Sequence, residues 1–396
     1  MKILLVHNNY GKYSGEETVV DQMAAMLQKH GHSICFYRMT TENIRDTMTG
    51  KIKGFLLGIY SPTGVKNMKE ILRKEKPDIV NIHNLYPFIS PAALFECQKA
   101  NVPVIMTIHN FRLICPTGLF MRNEKPCEIC LEKGNEWNCI KYNCEHSILK
   151  SIGYTLRNAY ARWTKAYKNN VDMFACITSF QKEKLIVAGF EKNKITVIPN
   201  LMNAPQKYVT YHGRYIAFCG RISREKGVDL IIEVARKHPE ISFKFAGEIR
   251  DIDLVQNLPV NCELKGYLSG EKLNTFYQEA SFFIMASKWY EGFPMSILEA
   301  AKYGKCTIGP NHGGFTEIIG QGKEAIGKLF EPNNIKDLEK QIVELWNNQT
   351  QIEELGEKAF NKLKECYDSE VIYKQWETLF SKLKKSAMPT EKLKNQ

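Results

Sequence analysis

The chain has no run near the roughly 18 to 20 consecutive apolar residues that a spanning helix needs, which excludes a helix crossing a bilayer. Its first apolar run, Ile3 to Val6 within MKILLVHNNYG, is of strand length and lacks a small-residue cleavage site. It reads as the first buried strand of a cytoplasmic protein and not as a leader. Acidic residues are in deficit, 43 against 54 lysines and arginines, giving a formal charge of +11. The basic residues are widely spread, densest at 51–76, 150–168 and 382–394, and do not interleave with aromatics as in a nucleic-acid module. The excess charge therefore points to an anionic surface, with peripheral contact to the inner face of a membrane expected and nucleic acid not.

At 396 residues, 44% hydrophobic and 24% charged, the chain suits two soluble domains better than one core. Short aliphatic runs at 3–6, 34–37, 79–82, 104–108 and 174–178 alternate with helical patterns, which argues for parallel βα units. Twelve cysteines in a chain of this size are expected as thiols or metal ligands, not disulfides. Cys35, Cys176, Cys219 and Cys306 lie in apolar runs and read as small hydrophobes. Cys115, Cys127, Cys130, Cys139 and Cys144 cluster, with His146 just after. Cys127-x2-Cys130 has the spacing of a metal knuckle, and Cys115 and Cys144 would complete a structural zinc site, with Cys139 spare. A thiol-rich surface loop or a redox pair at Cys127/Cys130 are the other readings. A four-thiolate site has no open position, so no catalytic role is implied for that zinc, and no cofactor is expected for catalysis.

The stretch SKWYEGFPMSILEAAKY, 287–303, carries Glu291 in a Gly-Phe-Pro loop and Glu299 inside the helix that follows. A helix starting beside the buried run Phe282 to Met285 turns free amides toward the carboxyl end of that strand, a place for phosphate. Carboxylates on either side can accept from hydroxyl groups, so the matching ligand is a nucleotide sugar; from spacing alone, two solvated glutamates on an amphipathic helix fit as well. Upstream, Gly220-Arg221 and Lys226-Gly227 put two cations in one βα loop after Tyr215 to Cys219, where they can neutralise a diphosphate. Gly15 precedes Glu16 and an amphipathic helix, and His83 and His109 end the third and fourth strands. Residues 147–169 read as one basic amphipathic helix, with Tyr154, Tyr160, Trp163 and Tyr167 among Lys150, Arg157, Arg162, Lys165 and Lys168. It fits an anionic lipid surface or a solvated domain helix. Asp251 and Asp253 read as solvated, and Gly320-x-Gly322-x-x-Ala325 as a turn, since it precedes a strand where a dinucleotide loop must follow one.

SKWYEGFPMSILEAAKYGK resembles the Glu-x7-Glu signature of retaining glycosyltransferases of family 4, in the GT-B superfamily. FCGRISREKGVDLIIEVA, FKFAGE, GYLSGEKLNTFYQEASFFIMAS and GPNHGGFTEII follow the family's order and spacing. The resemblance is specific over 215–332 and looser in the N-terminal half. It implies an α/β GT-B fold of two Rossmann-like domains facing a central cleft: an acceptor domain at 1–199 with a Cys-rich insertion at 115–146, a linker at 200–212, and a donor domain at 213–371. A helix at 372–386 would cross back to the N-domain through Trp376, Phe380 and Leu383, before a disordered tail at 387–396. The implied donor site comprises Gly15, Gly220, Arg221, Lys226, Glu291, Gly292, Phe293, Pro294, Met295, Ser296 and Glu299. Arg221 and Lys226 would take the phosphates, Glu291 the sugar hydroxyls, Glu299 the ribose, and His109 the transferred sugar near the acceptor. The family has two adjacent glycines where this chain has Ser14-Gly15, which weakens the case for Gly15. The implied reaction is transfer of a sugar, with retention, to a hydroxyl of a lipid-linked or oligosaccharide acceptor in cell-surface polysaccharide synthesis. Domain closure would accompany turnover. A nucleotide-sugar epimerase or hydrolase on the same fold is the first rival. A non-catalytic basic protein binding acidic polymers or lipid is the second.

Overall fold

Alternating buried runs and amphipathic helices fold into two separate parallel sheets of six strands each. The computed structural model describes residues 1–9, 15–40, 54, 56–132, 134–208 and 212–387. The tail expected to be disordered lies outside the described residues from 388 onward. Contacts divide the chain into two compact units: unit 1 holds Met1–Leu119, Glu128–Leu201 and Glu370–Gln396, and unit 2 holds Phe120–Cys127 and Met202–Ser369.

In unit 1, β1 (Lys2–Asn9), β2 (Ser33–Thr40), β3 (Ile79–Asn84) and β4 (Val104–Ile108) are joined by β7 (Met173–Cys176) and β8 (Ile195–Val197) in the order β2-β1-β3-β4-β7-β8. β3, β4 and β7 are buried throughout, as strands covered on both faces must be. The run expected at 174–178 stops at Cys176, because Thr178 turns to cap the helix Ser179–Val187, its hydroxyl accepting from the Gln181 amide. Between β4 and β7 a two-stranded hairpin, β5 (Met121–Arg122) with β6 (Lys125–Pro126), belongs to unit 2.

The helix expected over 147–169 is two helices, Ile148–Trp163 and Ala166–Asn170, broken where Lys165 takes a left-handed φ of 52°. Its polarity is also corrected. Ser151, Gly153, Thr155, Arg157, Asn158, Ala159 and Ala161 are buried, and Tyr167 is buried in the second helix. Arg157 donates to the Pro116 carbonyl at 2.6 Å and lies 4.2 Å from the Tyr86 ring centroid, so its charge is spent inside unit 1.

Unit 2 carries β9 (Tyr215–Cys219), β10 (Phe243–Ala246), β11 (Cys262–Gly266), β12 (Ala280–Ile284), β13 (Thr307–Pro310) and β14 (Gly327–Phe330), ordered β11-β10-β9-β12-β13-β14. The direction of winding reverses between β9 and β12, and in such sheets ligands bind outside the carboxyl ends at that point. In unit 1 the same reversal falls between β1 and β3.

The C-terminal helix, Ser369–Ala387, packs Ile372, Trp376, Leu379, Phe380 and Leu383 against Ile3, Leu5, Val20 and Leu27 of unit 1. Trp376 is 3% exposed. Trp376→Ala should cost about 3–5 kcal/mol by removing a buried ring, measured by denaturant unfolding; a cost near zero would mean that this helix does not complete the unit 1 core.

Candidate active site

The β9 and β12 loops meet because glycines let backbone approach backbone. Gly227 has φ +68°, and a Cβ there would lie 1.9 Å from the Ala286 carbonyl oxygen. On the other side, a Cβ on Gly314 would fall 2.4 Å from the Gly292 oxygen, and the Gly314 amide donates to the Glu291 carbonyl at 2.8 Å. Glu291 is thereby fixed at the strand reversal.

Its carboxylate is held by three donors on one oxygen. Lys226 Nζ, Ser287 Oγ at 2.8 Å and Trp289 Nε1 at 2.7 Å all reach Oε1, and no described residue donates to Oε2. Burial pushes the carboxyl up, but Lys226 and these hydrogen bonds outweigh it and hold it below the usual range. The Trp289 ring has Lys226 Nζ 5.3 Å and the Arg221 guanidinium 5.7 Å from its centroid. Arg221 also pairs with Glu225 at 3.2 Å. Both cations of this loop thus flank one aromatic face.

Glu299 is the fifth residue of the short helix Met295–Ala301. Tyr277 donates to its Oε2 at 2.5 Å, and burial raises its carboxyl. Pro294 caps that helix, with Gly292 and Phe293 just before it. Gly220, at φ +154°, ends β9 and opens the loop that carries Arg221. The expected donor residues of unit 2 therefore lie on the two loops at one strand reversal and on the short helix that follows the second of them. Asp251 and Asp253 are not simply solvated: Asp251 accepts from the Arg224 amide at 2.7 Å, and Asp253 pairs with the Arg224 side chain.

Sequence reasoning passed over Ser287, Trp289, Tyr277 and His312. The first two lay inside the signature stretch as polar neighbours of Glu291. His312 bonds the Ser287 carbonyl at 2.9 Å, and it and Tyr277 come from distant elements with no local cue.

In unit 1, His7, His83 and His109 end adjacent strands. His83 Nδ1 and His109 Nε2 are 2.8 Å apart. Burial lowers His7 to about 4 and His109 to about 3, and His83 well below its usual value, with Arg38 adding to the effect of burial at His7. The three are neutral imidazoles at neutral pH. His83, Asn84, His109, Asn110 and Arg112 line a narrow crevice. Arg112 also borders a cavity of ≈ 520 Å³ lined by Glu136, Arg162, Trp163, Lys165 and Lys168. Gly15 opens the helix Gly15–Lys29, exposed; residues 10–14 before it lie outside the described residues.

The expected zinc site is not assembled. Among the described residues no three or more histidine, cysteine or carboxylate side chains form a group that could hold a metal ion. Cys127 sits in unit 2 and Cys115, Cys130 and Cys144 in unit 1. Cys115 contacts Thr117 at 3.2 Å. Cys139, the intended spare, is buried and hydrogen-bonded to Cys144, which together with burial raises its thiol strongly.

The model of Glycosyltransferase Family 4 matches residues 13–204, and that of Glycosyl transferases group 1 matches 203–362. The chain is a family 4 glycosyltransferase with the GT-B fold. An uncharacterized 42.6 kDa protein in the cps region of Klebsiella pneumoniae is 28% identical over 352 residues, 80% of this chain and 87% of that one. Alpha-galactosylglucosyldiacylglycerol synthase of Streptococcus pneumoniae is 25% identical over 58% of this chain and 66% of its own. The crystal structure of Anabaena Alr3699/HepE with UDP and glucose superposes with a TM-score of 0.67 at 15% identity, over 96% of this chain and 100% of that chain.

The lowered histidines fix a pH dependence. An unfolded chain protonates them near 6.5, while the folded chain leaves His7 and His109 neutral down to about 4 and about 3. Below pH 6.5 the unfolded state therefore binds more protons, and stability falls as pH falls. Between pH 7 and 5 each should remove ~2 kcal/mol in denaturant unfolding, and His7→Asn should remove its share of the slope; a wild-type slope untouched by the substitution would refute this assignment.

Proposed function

We propose that the protein transfers a glycosyl unit, with retention, from a nucleoside diphosphate sugar to a hydroxyl of a lipid-linked glycan in cell-surface polysaccharide or glycolipid synthesis. The observation that carries this reading is Glu291 itself. It is ionised and fixed through Oε1, so Oε2 is free to accept from sugar hydroxyls. Arg221 and Lys226, on the neighbouring loop, supply positive charge for the departing diphosphate, where most of the rate enhancement is needed. Amides of Phe293, Met295 and Ser296 are assigned to phosphate and sugar, Glu299 to the ribose, and His109 in unit 1 to the transferred sugar. His109 is neutral, so it acts as a hydrogen-bonding group and not as a charged one. Uridine is the first base to test, since the structurally similar HepE binds UDP and glucose.

The membrane side of the reading rests on the helix Ile148–Trp163. It buries its small and polar side chains and exposes Ile148 (51%), Leu149 (76%) and Trp163 (60%), with Ile152, Leu156 and Tyr160 half-buried between them. Lys150 and Lys165 are exposed at its two ends. An outward apolar stripe flanked by lysines suits the boundary of an anionic bilayer. No helix among the described residues is long and apolar enough to cross one.

Glu291→Gln keeps the shape and the Ser287 and Trp289 contacts but discharges the pair. Transfer from the best of a panel of UDP-, GDP- and ADP-sugars should fall about 100-fold or more, and so should that of Lys226→Ala, with the wild-type product keeping the donor's anomeric configuration by NMR. Unaltered turnover in both variants would remove the assignment. In a flotation assay, wild type should rise with phosphatidylglycerol vesicles and less with phosphatidylcholine ones, and Leu149→Glu/Trp163→Glu should stay at the bottom; binding indifferent to both lipid and substitution would rule out this face.

A further inference from the structure

The hairpin at 121–126 is inserted from the Cys-rich segment into unit 2, with flanks Leu119 and Glu128 in unit 1. Its turn residues, Asn123 and Glu124, have φ of 50° and 56°. A two-residue turn with both φ positive favours Asn followed by Gly. A glutamate in the second place is strained, and such strain persists only where surrounding contacts hold it.

Those contacts are present. Glu124 Oε2 accepts from Lys288 Nζ at 2.7 Å, and the same ammonium reaches Asp229 Oδ2 at 2.7 Å. The Lys288 side chain is 7% exposed, so its charge is out of water and needs both carboxylates. The Lys288 amide donates to the Glu225 carbonyl at 2.9 Å, tying it to the loop that carries Arg221 and Lys226. At the foot of the hairpin, Phe120 is fully buried, also at positive φ, with its ring edge-on to Tyr290. The hairpin therefore grips residues 288 and 290, which alternate with Ser287, Trp289 and Glu291 along the same loop. Ser287 and Trp289 are two of the three donors to Glu291.

We infer that Glu124 is a positioning residue for the donor site: through Lys288, and with Phe120 against Tyr290, the hairpin sets the loop that orients Glu291. This rests on the reading of Glu291 as the donor-binding carboxylate. The hairpin touches none of the expected donor residues directly in any described contact. Its effect is exerted on donor binding.

The test separates positioning from plain structure. Glu124→Gly relieves the turn but leaves the buried Lys288 ammonium with Asp229 alone, so a purely structural role predicts a shift in thermal stability with unchanged kinetics. The inference predicts, whatever that shift, a donor KM raised about threefold to fivefold, the size available to an ion pair with one exposed partner. kcat should change little. Glu124→Gln should raise the donor KM similarly, and Glu124→Asp should recover part of the loss. Donor KM within experimental error of wild type in both Glu124→Gly and Glu124→Gln overturns the inference. If Glu291→Gln abolishes transfer while these two do nothing, only the hairpin's role is lost; if Glu291→Gln is itself silent, the donor assignment falls.

Discussion

Unit 2 of this glycosyltransferase depends on one oxygen atom. Glu291 Oε1 takes an ammonium, a hydroxyl and an indole N–H, and a carboxylate left with fewer partners at that depth would pick up a proton. Holding it ionised requires Lys226 from the β9 loop to reach across to the β12 loop, and those loops come together only where Gly227 leaves room for the Ala286 carbonyl. Gly314 does the same on the opposite flank. The glycines, the strand order and the ion pair are therefore one construction. Remove the close approaches and the lysine no longer meets the glutamate.

The two units solve opposite electrostatic problems. Unit 2 pairs its charges in partly buried places: Lys226 with Glu291, Lys288 with Glu124 and Asp229. Unit 1 lines its strand reversal with imidazoles that burial keeps uncharged. A diphosphate calls for the first kind of surface. A neutral hydroxyl, or a sugar in transit, is better met by the second, because uncharged donors and acceptors orient it without demanding a counter-ion.

How much of this could be read from residues alone follows from sequence distance. Glu291, Gly292, Ser296 and Glu299 share one short stretch, and Arg221 and Lys226 another, so each group was visible locally, while spacing alone left solvated glutamates as an equal reading and the family resemblance chose between them. The parallel strands were legible because burial on both faces leaves nearly continuous aliphatic runs. Tyr277 on Glu299, Glu124 on Lys288 and His312 on Ser287 were not, since each pair joins residues set together only by the tertiary fold. Among the cysteines, ligand spacing says nothing of which unit each thiol joins; Cys127 goes with the hairpin and Cys130 does not. The basic helix misled. Composition counted Arg157 as surface charge, whereas Tyr86, Tyr154 and the Pro116 carbonyl accommodate it inside.

That burial accounts for the helix's outward polarity. A helix whose inner face is given to Arg157, Asn158, Thr155 and Ser151 has no place in the core for its large apolar residues, and they are turned out. The buried polar groups are matched: Arg157 to Pro116, Asn158 to the Arg112 carbonyl, Thr155 to the Glu136 carbonyl. The polar anchoring thus draws Arg112, Pro116 and Glu136 onto this helix, beside the cavity that Trp163 helps to line. If core packing were the helix's only task, the cheaper solution would be apolar side chains within and lysines without. Reversing that order while satisfying every one of those inner contacts keeps an apolar surface on the outside of the helix, next to that cavity.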